Sequence, residues 1–177
     1  MKAVPFPYHK LIIGLLTTAS NEEEHVAEAK LQEFYGPVDV RSPRWKFTFT
    51  NYYDAEMGSG IERYFLSFQV PIDPQQLPDV KRRTNELEQM FMHGENRRIN
   101  IDPGIISFDR LILATTKDRG HRIPLRDGIY GEVTLMYVNR QFIPLPWTYA
   151  DYRSEACLKF FKEIRGIMVQ QRKKNLR

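Results

Sequence analysis

One cysteine, Cys157, stands in the 177-residue chain, so no intramolecular disulfide can form. A chain of this kind relies on its core and suits a reducing compartment. Long apolar runs are missing as well. The longest near the start, Leu11 to Leu16, falls far short of the roughly 20 residues that span a bilayer as a helix. The opening string MKAVPFPYHK lacks the basic-then-apolar layout of a secretory leader. These absences predict a cytoplasmic protein with no membrane partner. There is no repeat, low-complexity tract or linker, which predicts one domain over residues 1–177. Apolar residues make up 42% of the chain, enough for one core.

Charge is unevenly placed. The net charge is +4, but Lys159, Lys162, Arg165, Arg172, Lys173, Lys174 and Arg177 face a single anion, Glu163, so the C-terminal stretch carries +6 and the rest about −2. The plain reading of such a run is a solvated helix face that complements the helix dipole.

Periodicity then gives the elements. Lys10 to Thr18 reads as a central strand buried on both faces. Ser20 and Glu23 have capping-box spacing, and the following helix ends at Gly36-Pro37. Its apolar stripe is Val26, Leu31, Phe34 and Tyr35, with Glu22, Glu24, Glu28 and Lys30 outward. Trp45 to Tyr53 alternates as a half-buried strand, Asp54 to Gly60 is a turn, and Ile61 to Val70 completes a hairpin. A second helix starts at Asp73-Pro74, with Val80, Leu87, Met90 and Phe91 inward, and Arg98 to Asp102 follows as a strand. This β-α-β-β-α-β order over about 10–102 is ferredoxin-like. Pro103-Gly104 reads as a turn. Leu111 to Thr116, His121 to Pro124, Ile129 to Tyr137 and Gln141 to Ile143 form an antiparallel β-meander, and a helix from near Thr148 or Asp151 closes the chain. Its stripe of Tyr152, Cys157, Phe160, Phe161, Ile164, Ile167 and Met168 needs a partner surface. The expected class is α+β: a ferredoxin-like βαββαβ unit extended over about 103–177 by the meander and the helix.

Three strings resemble a known family: YYDAEMG (Tyr52 to Gly58), RRINIDPG (Arg97 to Gly104), and LILATTKDRGHRIPLRDGIYGEVTL (Leu111 to Leu135) leading to WTYADY (Trp147 to Tyr152). Together they are similar to an uncharacterised prokaryotic family, domain of unknown function 4416, over nearly the whole chain. Members are sometimes labelled GTP-binding, and the resemblance implies no defined reaction. The residues exclude a conventional P-loop GTPase. Gly14 is followed by LLTTAS, without the second Gly and the Lys that cradle phosphates. In Thr116-Lys117-Asp118 the Asp falls one place too early for a guanine-reading [NT]-K-x-D loop. A nucleotide site of another kind stays open.

Strand parity points to a site. Ile99 and Ile101 inward put Arg98, Asn100 and Asp102 on the opposite face, and Val133 and Leu135 inward put Glu132 and Thr134 there too. Between them in sequence lie Lys117, Asp118, His121 and Arg122. Arg98, Asn100, Lys117, Arg122 and Thr134 would bind a phosphate-bearing small ligand or nucleotide, while Asp102, Glu132 and His121 would carry proton transfer or bind Mg2+ for hydrolysis or group transfer. The bland reading is a polar sheet face with ordinary salt bridges. Asp54 and Glu56 form a second carboxylate pair able to join Glu132 at a metal if their turn folds over the sheet. No His/Cys spacing suggests zinc, and there is no G-x-S-x-G. The alternative class is RNA binding, with the aromatics of Arg63 to Phe68 stacking bases and the basic helix meeting phosphates, or a protein-interaction module whose last helix exposes its apolar stripe.

Overall fold

The apolar run near the start becomes β1 (Lys10–Thr17), every residue of which is buried. Even Lys10 is fully buried, as the partner of Asp39 and Gln171. The computed structural model describes residues 2–175, with side-chain burial to residue 173. After β1 come α1 (Asn21–Tyr35), β2 (Val38–Arg41), β3 (Trp45–Lys46), the single turn α2 (Asp54–Met57), β4 (Glu62–Phe68) and α3 (Leu77–Gln89). A small hairpin of β5 (Met92–His93) and β6 (Asn96–Arg97) leads to β7 (Ile99–Ile106). Then follow β8 (Arg110–Thr115), β9 (Ile123–Arg126), β10 (Ile129–Val138), β11 (Gln141–Pro144) and α4 (Glu155–Asn175).

The main sheet runs β11-β10-β8-β7-β1-β4-β2, with β3 also on β4 and β9 also on β10. Its β7-β1-β4-β2 part is antiparallel throughout and has the ferredoxin-like order, first and third strands central. The meander continues the same sheet beyond β7. The architecture is α+β, as the residue patterns predict. Local chemistry supports it. Ser20 and Glu23 close a capping box on α1, and Asp73 and Gln76 another ahead of α3. Asp127-Gly128 and Asn139-Arg140 take the left-handed conformation that two-residue hairpin turns require.

Leu11, Ile13, Leu15, Tyr64, Leu66, Ile99 and Ile101 pack against α1 and α3 on one face of the sheet. Ile12, Phe65, Ile106, Leu111 and Leu135 pack on the other against Cys157, Phe160, Phe161, Ile164 and Met168 of α4. Each such side chain, fully buried, contributes about 1.5–3 kcal/mol. The apolar stripe of the last helix is therefore covered by the sheet. Two of its cations lie over aromatic rings, Arg165 on Tyr137 at 3.6 Å and Arg172 on Phe108 at 4.6 Å. Lys174 and Arg177 fall outside the residues whose side chains are described.

Five expectations are corrected. The second strand of the unit is mainly β2, earlier than Trp45 to Tyr53. Beyond Lys46 the chain leaves the ladder, and Phe47 and Tyr53 gather with Leu16, Met57 and Ile61 in a small cluster instead. Residues 54–57 form a helical turn rather than part of a hairpin turn. On α1 the buried positions are Glu24, Ala27, Glu28 and Leu31, while Val26 and Phe34 are exposed. The two glutamates tolerate burial because Arg44 and Arg41 pair with them. On α3, Met90 is exposed. Pro103-Gly104 is not a turn: both lie inside β7, opposite Ile13 and Ile12.

Candidate functional site: a cleft where two strands part

β7 stays paired with β1 from Ile106 to Ile99, but it meets β8 only from Gly104–Leu113 to Ile106–Leu111. β8 continues beside β10 as far as Thr115–Tyr130. The two neighbours therefore part beyond Gly104. At the last joined pair the strands are close: a Cβ on Gly104 would lie 2.6 Å from Leu113 Cδ2 and 2.8 Å from the Ile112 carbonyl oxygen. Glycine is needed there for approach.

Parting leaves β7 backbone groups without a strand to bond, a cost that must be met. α3 meets it. Glu88 accepts from the Ile101 amide at 2.6 Å, and Lys81 donates to the Ile101 carbonyl at 2.8 Å. Backbone groups two residues apart point the same way along a strand, so Pro103 would aim its amide into the same gap. Proline has no N–H to leave unpaired. Burial raises the Glu88 carboxyl above its ordinary value, against the pull of Lys81 and Arg97.

The gap opens into a cleft of about 940 Å³, on the half of the sheet face that α4 leaves uncovered. The deep part is built around Arg63, which crosses the sheet from β4. Its Nε donates to Asp151 Oδ2 at 2.9 Å and its Nη1 to Asp102 Oδ2 at 3.2 Å. A Cβ on Gly14 would lie 2.9 Å from Arg63 Nη1 and 2.8 Å from Phe65, so the glycine inside the apolar run of β1 is what lets the arginine pass. Asn100 donates to the same Asp102 Oδ2 at 2.9 Å. Asp102 Oδ1 has Lys81 at 3.9 Å. Burial pushes the Asp102 carboxyl up, but Arg63, Lys81 and Asn100 outweigh it and hold the group below its ordinary value. Burial also pushes the phenols of Tyr53 and Tyr152 up, so both stay neutral hydroxyls.

The mouth is built by the 116–122 loop and the segment before α4. Glu132 on β10 is nearly inaccessible and accepts from Arg122 Nε at 2.7 Å and His121 Nε2 at 3.0 Å. Arg122 also donates to the Lys117 carbonyl and the Tyr149 hydroxyl, both at 2.8 Å. The His121 ring stacks on Trp147 at 4.9 Å, and Trp147 donates to the Val133 carbonyl. Lys117 donates to the Tyr52 hydroxyl at 3.0 Å, and this bond holds the Tyr52 phenol below its ordinary value. Lys117 and Arg119 have no carboxylate partner among the described residues.

Of the candidate site residues named from the sequence, Asn100, Asp102, Lys117, His121, Arg122 and Glu132 all line this cleft. Two do not. Arg98 precedes β7 and donates to the Thr18 carbonyl. Thr134 lies at a register shift of β10 between Val133 and Leu135, where its hydroxyl is buried on Glu132 and its carbonyl accepts from Thr148. Its role is support beneath Glu132. Glu56 pairs with Arg97 at 2.9 Å, and neither it nor Asp54 lines the cleft. Among the described residues no three His, Cys, Asp or Glu side chains gather as a metal would need. Sequence reasoning passed over Arg63, Lys81, Arg97, Tyr53, Tyr149 and Asp151. Arg63 had a signal, since Tyr64, Leu66 and Phe68 facing the core put it on the opposite side. Tyr64, Phe65 and Phe68 are fully buried and offer no ring face to a base.

The model of a family described as a domain of unknown function, DUF4416, matches residues 7–167, and the chain belongs to that family. A search of curated proteins finds no significant match, and neither does a search of solved structures. No helix among the described residues is long and apolar enough to cross a membrane.

Proposed function

We propose that the cleft binds a phosphate-bearing small molecule, with the phosphate at the mouth. The observation that carries this is the pair Lys117 and Arg119, which have no carboxylate partner among the described residues and line the cleft at its mouth. Six cationic and four anionic side chains line the cleft, a surplus of two positive charges. Unpaired cations at a partly enclosed rim attract and hold a dianion better than the same charges on an open surface. Asp102 and Glu132 are each engaged by an arginine, which favours binding over proton transfer by either carboxylate. His121, held by Glu132 and by the Trp147 ring, is the group best placed for any proton transfer.

The test is thermal unfolding against nucleotides and sugar phosphates, with and without Mg2+. A ligand at about a hundred times its Kd adds about 2.7 kcal/mol. For a chain of this size that is a rise of roughly 5–10 °C. The rise should vanish in the Lys117→Ala/Arg119→Ala double variant. No rise with any phosphate-bearing compound defeats the reading.

A further inference from the structure

The cleft has two chemically different ends. The mouth is cationic, whereas the floor is close to neutral, because Arg63 and Lys81 offset Asp102 and Asp151. A floor of that kind gains nothing from a second phosphate. It offers specific hydrogen-bonding positions instead. Arg63 and Asn100 both occupy Asp102 Oδ2, while Oδ1 has Lys81 at 3.9 Å, beyond hydrogen-bond reach. The Asp102 side chain keeps 26% of its surface accessible. One carboxylate oxygen is thus fixed by the protein, and the other is an open acceptor on the cleft floor. Tyr152 lines the same cleft, and its hydroxyl is buried without a hydrogen-bond partner.

Aromatic side chains also form part of the cleft walls. Phe49, Tyr52, Trp147 and Tyr149 line the cleft and are all exposed, at 44%, 64%, 37% and 45%. Exposed aromatic rings lining a concavity suit a flat, polarisable group, for which face contact is favourable whatever its substituents.

We propose that the ligand of this cleft is a phosphate ester carrying a flat ring with an N–H donor, the ring lying inward against the aromatic side chains and its donor bonded to Asp102 Oδ1. This rests on the phosphate reading above and adds the other half of the molecule. Asp102 is then the specificity-determining residue. It reads a donor, and its ionised state makes that bond charge-assisted.

Calorimetric titration of the full chain separates the two readings. Ribose 5-phosphate has the anion without the ring, and the four ribonucleoside 5′-monophosphates have both. The expected result is that at least one monophosphate binds ten times or more tighter than ribose 5-phosphate. Asp102→Asn should lower that monophosphate's affinity roughly ten- to hundredfold, the range of a hydrogen bond to a charged group, and leave ribose 5-phosphate unchanged. Should Asp102→Asn fold poorly, Phe49→Ala is a surface change that should cost the monophosphate roughly fivefold or more and spare ribose 5-phosphate. Equal affinity for ribose 5-phosphate and every monophosphate overturns this proposal and keeps the phosphate reading. Equal losses for both ligand types in the two variants overturn it as well. Binding by none of the five compounds overturns both.

Discussion

Arg122 Nε donates to Glu132 Oε2 at 2.7 Å, with 6% and 2% of the two side chains exposed. This ion pair fastens the 116–122 loop to the middle of β10, and His121 joins it on the same oxygen. Removing one member of a buried pair strands the other charge. Glu132→Ala should lower unfolding stability by about 3–5 kcal/mol, read from urea denaturation. Arg126→Ala, which breaks a pair whose side chains are about half exposed, should cost under about 1 kcal/mol. Similar costs for the two would mean that Glu132 is far more solvated than its position implies.

Gly14 and Gly104 test close approach of two kinds. Gly14→Ala pushes against the Phe65 ring and the Arg63 guanidinium, whose ends can shift, and should cost about 1–3 kcal/mol. Gly104→Ala meets the Ile112 backbone, which cannot shift without breaking the last joined rung of β7 and β8. The second substitution should therefore be the more damaging. The order of the two melting temperatures checks it.

Asp102 and Glu88 should give opposite pH dependences. The folded Asp102 carboxyl lies below its ordinary value of 3.8, so its contribution is complete above that value and is lost as pH falls through the folded value. The folded Glu88 carboxyl lies above its ordinary value of 4.5, so its contribution is complete below 4.5 and is lost as pH rises through the folded value. Asp102→Asn should flatten the stability curve on the acid side. Glu88→Gln, which keeps an acceptor for the Ile101 amide, should remove a fall that begins above pH 4.5. Chemical denaturation at a series of pH values reads both, and matching slopes in the two variants would contradict the assignment.

Cys157 is on the buried face of α4, and burial pushes its thiol up to about 11. A thiol reagent at neutral pH should react with it only as fast as the native state opens. The labelling rate should rise with denaturant and meet the global unfolding rate. Immediate labelling in buffer would mean that α4 is not seated as described.

Much of the fold was legible because local and tertiary preferences agreed. The apolar run of β1, the Ser20–Glu23 box and the Asp127-Gly128 turn each point to one conformation. Where they disagreed, tertiary demands won. Trp45, Phe47 and Phe49 alternate like a strand, yet past Lys46 the rings of Phe47 and Phe49 turn to Leu16 and the cleft instead of extending a ladder. Glu24 and Glu28 read as solvent residues, and their burial depends on arginines 13 and 20 positions away. Parity brought Asn100, Asp102 and Glu132 together, and all three line the cleft. It failed at Thr134, where the register shift of β10 breaks strict alternation. Pro103-Gly104 carries the usual composition of a turn. Its meaning here depends on the neighbouring strand having left, which no local pattern encodes.

That departure gives the sheet a spine. Three residue pairs, Gly104–Leu113 to Ile106–Leu111, sew a β7-β1-β4-β2 leaf to a β8-β10-β11 leaf at one end, and beyond them the leaves are free of one another's ladders. The gape between them is then an angle about a short seam rather than a sum of side-chain sizes. A small twist at Gly104 widens or narrows the far end while every rung stays intact.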